Sequence, residues 1–113
     1  MSRKRYVITA SCFDKKGRHL STGVNDYKKT HPAMKHFAVL AGESEHKHAL
    51  HAELSAVLAA RGKEIDSIFV QRFDSQGRMK MAKPCPACRK MLEVFGIKIV
   101  RYTTEDGVKE YAN

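Results

Sequence analysis

Apolar and polar positions along the chain fall into short runs divided by turn residues, and the apolar spacing switches between strand-like and helix-like. Arg5 to Phe13 is rich in strand formers (Tyr6, Val7, Ile8, Thr9, Ala10, Ser11, Cys12). Asp14-Lys15-Lys16-Gly17 then turns the chain back into His19 to Val24, which predicts a hairpin. Asn25 to Pro32 is polar and ends on a proline, so it reads as a loop. From Pro32 to Gly42 the apolar Met34, Phe37, Ala38 and Ala41 recur at helical spacing, predicting a short amphipathic helix before the Gly42-Glu43-Ser44 break. Ala49 to Arg61 carries Leu50, Leu54, Val57 and Leu58 among alanines and stops at Gly62, the pattern of a helix with a glycine stop.

Ile68, Phe69 and Val70 sit together within Ile65 to Phe73 and fit a buried central strand, followed by a turn at Asp74-Ser75-Gln76-Gly77. Met79 to Lys83 extends or flanks that strand. Pro86 stands where a first helical residue tolerates proline, and Met91, Leu92 and Phe95 mark a helix from Ala87 to Phe95 ended by Gly96. Ile97 to Tyr102 alternates apolar and basic, and a last short strand, Val108 to Tyr111, follows Glu105-Asp106-Gly107. The residues between Thr103 and Val108 are too few for a parallel crossover, so this last strand must run antiparallel. No repeat or low-complexity segment appears. The order β-β-α-α-β-α-β-β predicts an α/β layered domain around one mixed sheet.

A length of 113 residues fits one domain, and 42% hydrophobic with 29% charged residues is a globular balance that excludes a wholly disordered chain. No apolar run reaches the roughly 18 residues of a membrane span, and Met1 to Arg5 lead into a strand pattern without a signal-peptide core. The expectation is a soluble cytoplasmic protein with no membrane partner. Lysine and arginine number 21 against 12 acids, a net charge of +9 that attracts nucleotides, nucleic acid or an acidic partner without choosing among them. The basic residues are scattered, and a solvated basic surface accounts for them as well. Three cysteines, two of them three positions apart, favour a metal or reactive site over a disulfide framework.

Pro84-Cys85-Pro86-Ala87-Cys88 puts two thiols at i and i+3 where a loop enters a helix, so both sulfurs can face one point. The unpaired N–H groups of a helix start favour negative charge and so favour thiolates. His51-Ala52-Glu53 adds an imidazole and a carboxylate. Two thiolates and one imidazole suit Zn²⁺, and the absence of an obvious fourth protein ligand leaves room for water. Residues at i and i+2 point about 200° apart in mid-helix, so His51 and Glu53 can approach one ion only at the first turn.

His51-Ala52-Glu53 and Pro84-Cys85-Pro86-Ala87-Cys88, with 33 residues between His51 and Cys85, resemble the H-x-E and P-C-x-x-C halves of the zinc-dependent cytidine and deoxycytidylate deaminase superfamily. The resemblance covers nearly the whole chain. It implies a single-domain, three-layer α/β/α fold, with zinc held by His51, Cys85 and Cys88 and with Glu53 as the proton carrier rather than a ligand. It further implies that Asn25 binds the sugar or base and that the Ala52 backbone N–H meets the base. The superfamily commonly has a helix before its first strand. Here that sheet face is expected to be covered by the Pro32 to Gly42 helix or by another subunit. A homo-oligomer is therefore expected, in contact through that segment, the helix after Gly42 and the helix after Pro86.

The hairpin ending, Arg89 and Lys90-Met91-Leu92 resemble the branch acting on free nucleosides, whereas His51 in place of a cysteine resembles the deoxycytidylate and tRNA-adenosine branches. Asn25 to Pro32 resembles short phage-type deaminase-like proteins, with Lys28, Lys29 and Thr30 either binding a phosphate or forming a solvated loop. The resemblance thus implies hydrolytic deamination of a free cytosine nucleoside or nucleotide. A polynucleotide deaminase is the alternative, supported by the charge of +9 and by Tyr6, Tyr27 and Phe37 as stacking groups. A non-catalytic zinc module, its shell closed by Cys12 or His48, is a further one. His31, His36, His46 and His48 read most simply as surface histidines.

Overall fold

The computed structural model describes residues 7–30, 36, 39–40 and 49–113. Its strands are β1 (Val7–Phe13), β2 (His19–Val24), β3 (Asp26–Thr30), β4 (Ala49–Leu50), β5 (Ser67–Phe73), β6 (Ile99–Thr104) and β7 (Gly107–Ala112). The helices are α1 (Ala52–Ala59) and α2 (Pro86–Val94). Five strands form one mixed sheet in the order β2-β1-β5-β6-β7, and β3 pairs with β4 in a separate ribbon. β1 runs antiparallel to both β2 and β5, whereas β5 and β6 are parallel, in register from Ser67↔Ile99 to Val70↔Tyr102. β7 returns antiparallel on β6, as the short connection requires.

The alternation of the strands places Ala10, Cys12, Ile68, Val70, Val100 and Tyr102 in one apolar cluster with Leu54, Ala56 and Val57 of α1 and Met91 and Leu92 of α2. Both described helices therefore share that core. The helix expected at Pro32 to Gly42 falls mostly outside the described residues, although His36, Val39 and Leu40 have helical backbone. α2 ends in a Schellman arrangement, with Gly96 at φ 74°, Gly96 N–H donating to Glu93 and Ile97 N–H donating to Leu92.

Two expectations need correction. Asp26–Thr30, read as loop, is a strand, and Ala49–Leu50, read as the first turn of a helix, pairs with it as Asp26↔Leu50 and Thr30↔Ala49. Pairing between segments distant in sequence overrides the helix preference of Ala and Leu and the turn character of Asp and Lys. The expectation of no repeat also needs correction, because a short one is present. Phe13-Asp14-Lys15-Lys16-Gly17-Arg18 and Phe73-Asp74-Ser75-Gln76-Gly77-Arg78 fold into the same turn. In each, aspartate Oδ1 accepts two backbone N–H bonds and Oδ2 accepts Nε of the arginine, at 2.8 Å in the first turn and 2.9 Å in the second. The glycines take φ 78° and 77°.

Candidate functional site

β2 sets the position of α1. Gly23 lies so close to the helix that a Cβ there would meet Ala56 N at 2.3 Å and Ala52 O at 2.5 Å, and the buried Ser21 hydroxyl donates to Ala56 O at 2.7 Å. A glycine within a strand is the sequence sign of such an approach, but sequence reasoning did not single it out. The result is that the N-terminus of α1 sits at the end of the sheet where β2 finishes and Asn25 begins.

His51 is the N-cap of α1, with an extended backbone (φ −83°, ψ 153°), and Cys85 is the N-cap of α2 (φ −67°, ψ 166°), with Pro86 at the first helical position. The extended caps turn both side chains off the helix ends. His51 Nδ1 lies 3.5 Å from Cys85 Sγ and 3.3 Å from Cys88 Sγ, and the three ligand atoms fall within 4.8 Å of one another. Bonds of about 2.0–2.3 Å to a tetrahedral zinc put neighbouring N and S ligand atoms roughly 3.3–3.8 Å apart, so the donor set fits that ion in type and spacing. Both helix N-termini aim positive dipole ends at the sulfurs.

Cys85 is held down to about 4, chiefly by the hydrogen bond from the Cys88 thiol and further by His51, while its own burial opposes the shift. Cys88 moves up, because it donates to the Cys85 sulfur, is buried, and faces the Glu53 charge. Glu53 is 5% exposed, and burial pushes its carboxyl up, opposed by its own backbone N–H and by His51. A carboxyl shifted upward by burial beside two sulfurs is suited to hold and return a proton.

The family model for the cytidine and deoxycytidylate deaminase zinc-binding region matches residues 3–104. The chain belongs to this deaminase family. Among solved structures it is similar to a mutant cytidine deaminase from Mycobacterium tuberculosis, with 21% identity and a TM-score of 0.52 over 93% of this chain and 72% of that one. That likeness shows the fold. No curated protein matches the sequence. Family membership makes zinc the cofactor, and His51, Cys85 and Cys88 form the cluster suited to it.

The other expected residues of the deaminase domain are placed as follows. Ala52 is fully buried as the first residue of α1, where its N–H lies outside the intrahelical ladder. Asn25 extends the β1–β2 ladder: its Oδ1 accepts the Ile8 N–H at 3.1 Å, and its own N–H donates to Ile8 O at 3.2 Å. Cys12 is buried in the sheet core with its thiol pushed up by burial. It lies outside the cluster of His51, Cys85 and Cys88, so it is not placed to close a shell around a metal there. His36 is exposed, as expected. His31, His46, His48, Tyr6 and Phe37 lie outside the described residues, and of Tyr27, Lys28, Lys29 and Thr30 the backbone strand alone is described.

Tyr111 of β7 was not singled out from sequence. Its ring lies under the Arg89 guanidinium at 5.3 Å and near Lys83 Nζ at 5.9 Å, so the last strand reaches the helix that carries Cys88. A cleft of about 1100 Å³ with Lys15, Lys16, Lys63 and Lys98 on its walls lies at the opposite end of the fold, beside the C-terminal ends of both helices. None of the expected site residues lines it.

Proposed function

We propose that the protein is a zinc-dependent hydrolytic deaminase that converts a free cytosine nucleoside or nucleotide (cytidine, deoxycytidine or dCMP) to its uracil form plus ammonia. One observation carries the reading. Nδ1 of His51 and Sγ of Cys85 and Cys88 meet at two helix N-termini with the buried carboxyl of Glu53 beside them. A zinc ion held by these three residues supplies Lewis-acid activation of water.

Glu53 is the proton carrier. Its carboxylate would take a proton from the attacking water and deliver it to the ring nitrogen beside the amino-bearing carbon; it would then take the remaining proton from the hydroxyl now on that carbon and pass it to the departing amine, which leaves as ammonia while the hydroxyl oxygen becomes the carbonyl. Burial favours the protonated carboxyl, which suits Glu53 to hold each proton between taking it up and passing it on. The Ala52 N–H, in the first turn and outside the intrahelical ladder, is suited to the base carbonyl. Asn25 is held through Oδ1, which leaves its amide N–H₂ to meet a sugar hydroxyl.

The β6–β7 hairpin supports a free substrate, since the chain turns straight back at Thr104 to Gly107 without the helix that polynucleotide editors of the superfamily generally place there. The structural neighbour, itself a cytidine deaminase, is in keeping with this. The charge of +9 favours a strand, but the basic cleft lies at the far end from the metal-ligating cluster. Ammonia release from cytidine, deoxycytidine, dCMP and a single-stranded oligonucleotide at matched concentration tests the reading. Faster turnover of a free substrate is expected, and faster turnover of the strand overturns the choice.

Assembly as a homo-oligomer in the cytoplasm belongs to the same reading. Leu58 of α1 is 44% exposed, and Val94 and Phe95 at the end of α2 are 58% and 50% exposed, apolar surface suited to a second copy. Light scattering should give at least twice the chain mass of 12.8 kDa. No helix among the described residues is long and apolar enough to cross a membrane.

A further inference from the structure

The parallel pairing of β5 and β6 ends at Val70↔Tyr102, and beyond it the segment Lys80 to Ala82 bridges the two strands. Every residue of that segment is tied. Lys80 N–H donates to Arg72 O at 2.8 Å, Arg72 Nη1 donates to Met81 O at 3.3 Å, and Ala82 N–H donates to Thr103 O at 2.9 Å. Thr103 stands at the centre of these bonds. Its hydroxyl, on a residue 1% exposed, donates to Lys80 O at 2.8 Å and accepts Arg72 N–H at 3.0 Å. A single hydroxyl thus replaces the ladder bond that β5 loses where β6 departs, and grips the bridging segment as well.

Cys85 follows Ala82 by three residues, through Lys83 and the buried Pro84. Cys88 is anchored separately, being 1% exposed on α2 within the core. Cys85, as the N-cap, takes its position from the chain that leads into it. We propose that Thr103 is a positioning residue of the metal centre, its hydroxyl fixing Lys80 to Ala82 and through them the approach of Cys85 to His51 and Cys88. The inference rests on the reading of those three residues as the zinc ligands. Valine has the shape of threonine but neither donates nor accepts, so it would leave the Arg72 N–H and the Lys80 carbonyl unpaired. Serine keeps both bonds.

The test is zinc affinity by chelator competition, at a temperature where circular dichroism shows each metal-free protein folded. Affinity measured there does not respond to global stability. Thr103→Val is expected to bind zinc about tenfold more weakly or worse, the range seen when groups supporting metal ligands are removed, and Thr103→Ser to restore binding. Thr103→Val that binds zinc like the wild type, though more easily unfolded by urea, would overturn the proposal. Should Thr103→Val not fold, Arg72→Met decides, since it removes the guanidinium tie to Met81 and keeps the Thr103 hydroxyl: weaker zinc binding supports the proposal and unchanged binding overturns it. Wild-type protein that takes up no zinc would instead refute the ligand assignment.

Discussion

Replacing Gly23 by alanine adds one methyl group at the closest approach of β2 and α1. The added Cβ would lie 2.3 Å from Ala56 N, 2.5 Å from Ala52 O and 2.8 Å from the Ser55 carbonyl carbon. All three are helix backbone atoms, which cannot rotate aside, and non-bonded heavy atoms settle at about 3.5 Å or more, so strand and helix must part by roughly 1 Å. Overpacking of this kind costs about 1–3 kcal/mol. The same displacement strains the 2.7 Å bond from Ser21 to Ala56 O, which adds about 1 kcal/mol. The expected destabilisation is therefore about 2–4 kcal/mol, read as a lower urea midpoint at unchanged slope. The movement also carries His51 and Glu53, at the start of α1, away from Cys85 and Cys88. A misplacement of about 1 Å can cost on the order of a hundredfold in rate. Gly17→Ala is the control: it meets no atom within 4 Å and suffers only its φ of 78°, so stability falls by about 1–2 kcal/mol and activity not at all. A Gly23→Ala protein within about 0.5 kcal/mol of wild type and fully active would refute the packing argument.

Removing both sulfurs, by Cys85→Ala with Cys88→Ala, should lower zinc from one equivalent per chain to a trace in elemental analysis, because one imidazole alone is a poor site. Zinc retained by the double variant would show that other residues hold it. Asp14 and Asp74 are held below the usual carboxylate range, first by the backbone N–H of Arg18 and of Arg78. Their contribution to stability is complete above the unfolded value of about 3.9 and is lost as pH falls through the lower folded values. Thermal unfolding followed from pH 6 down to about pH 2 should therefore show an acid limb that Asp14→Asn with Asp74→Asn makes shallower. An unchanged limb would place acid sensitivity elsewhere.

The grouping of the candidate site was legible because its residues are local in sequence. His51 with Glu53 and Cys85 with Cys88 each belong to one helix start, and Pro86, Gly62 and Gly96 mark where those helices begin and end. The short β6–β7 connection fixed its own direction for the same reason. Strand order was not legible, since the contacts of β1 with β5 and of β3 with β4 join segments far apart in the chain. Two good helix formers at Ala49–Leu50 gave no sign of pairing, and a polar Asp26–Thr30 gave none of being a strand. Gly23 and Thr103 act through neighbours that only the folded chain supplies, namely α1 for one and the Lys80 to Ala82 segment for the other.

The central claim is hydrolytic deamination at a zinc site in which Glu53 carries the proton and holds no metal. Zinc content and ammonia release measured side by side on the wild type and on Glu53→Gln test it most directly. The carboxamide fills the same buried space without a transferable proton, so Glu53→Gln should keep one zinc per chain and lose turnover of the preferred cytosine substrate by about two to four orders of magnitude. Loss of zinc together with Glu53 would make it a ligand. Ammonia released at the wild-type rate by the zinc-loaded variant would contradict the account.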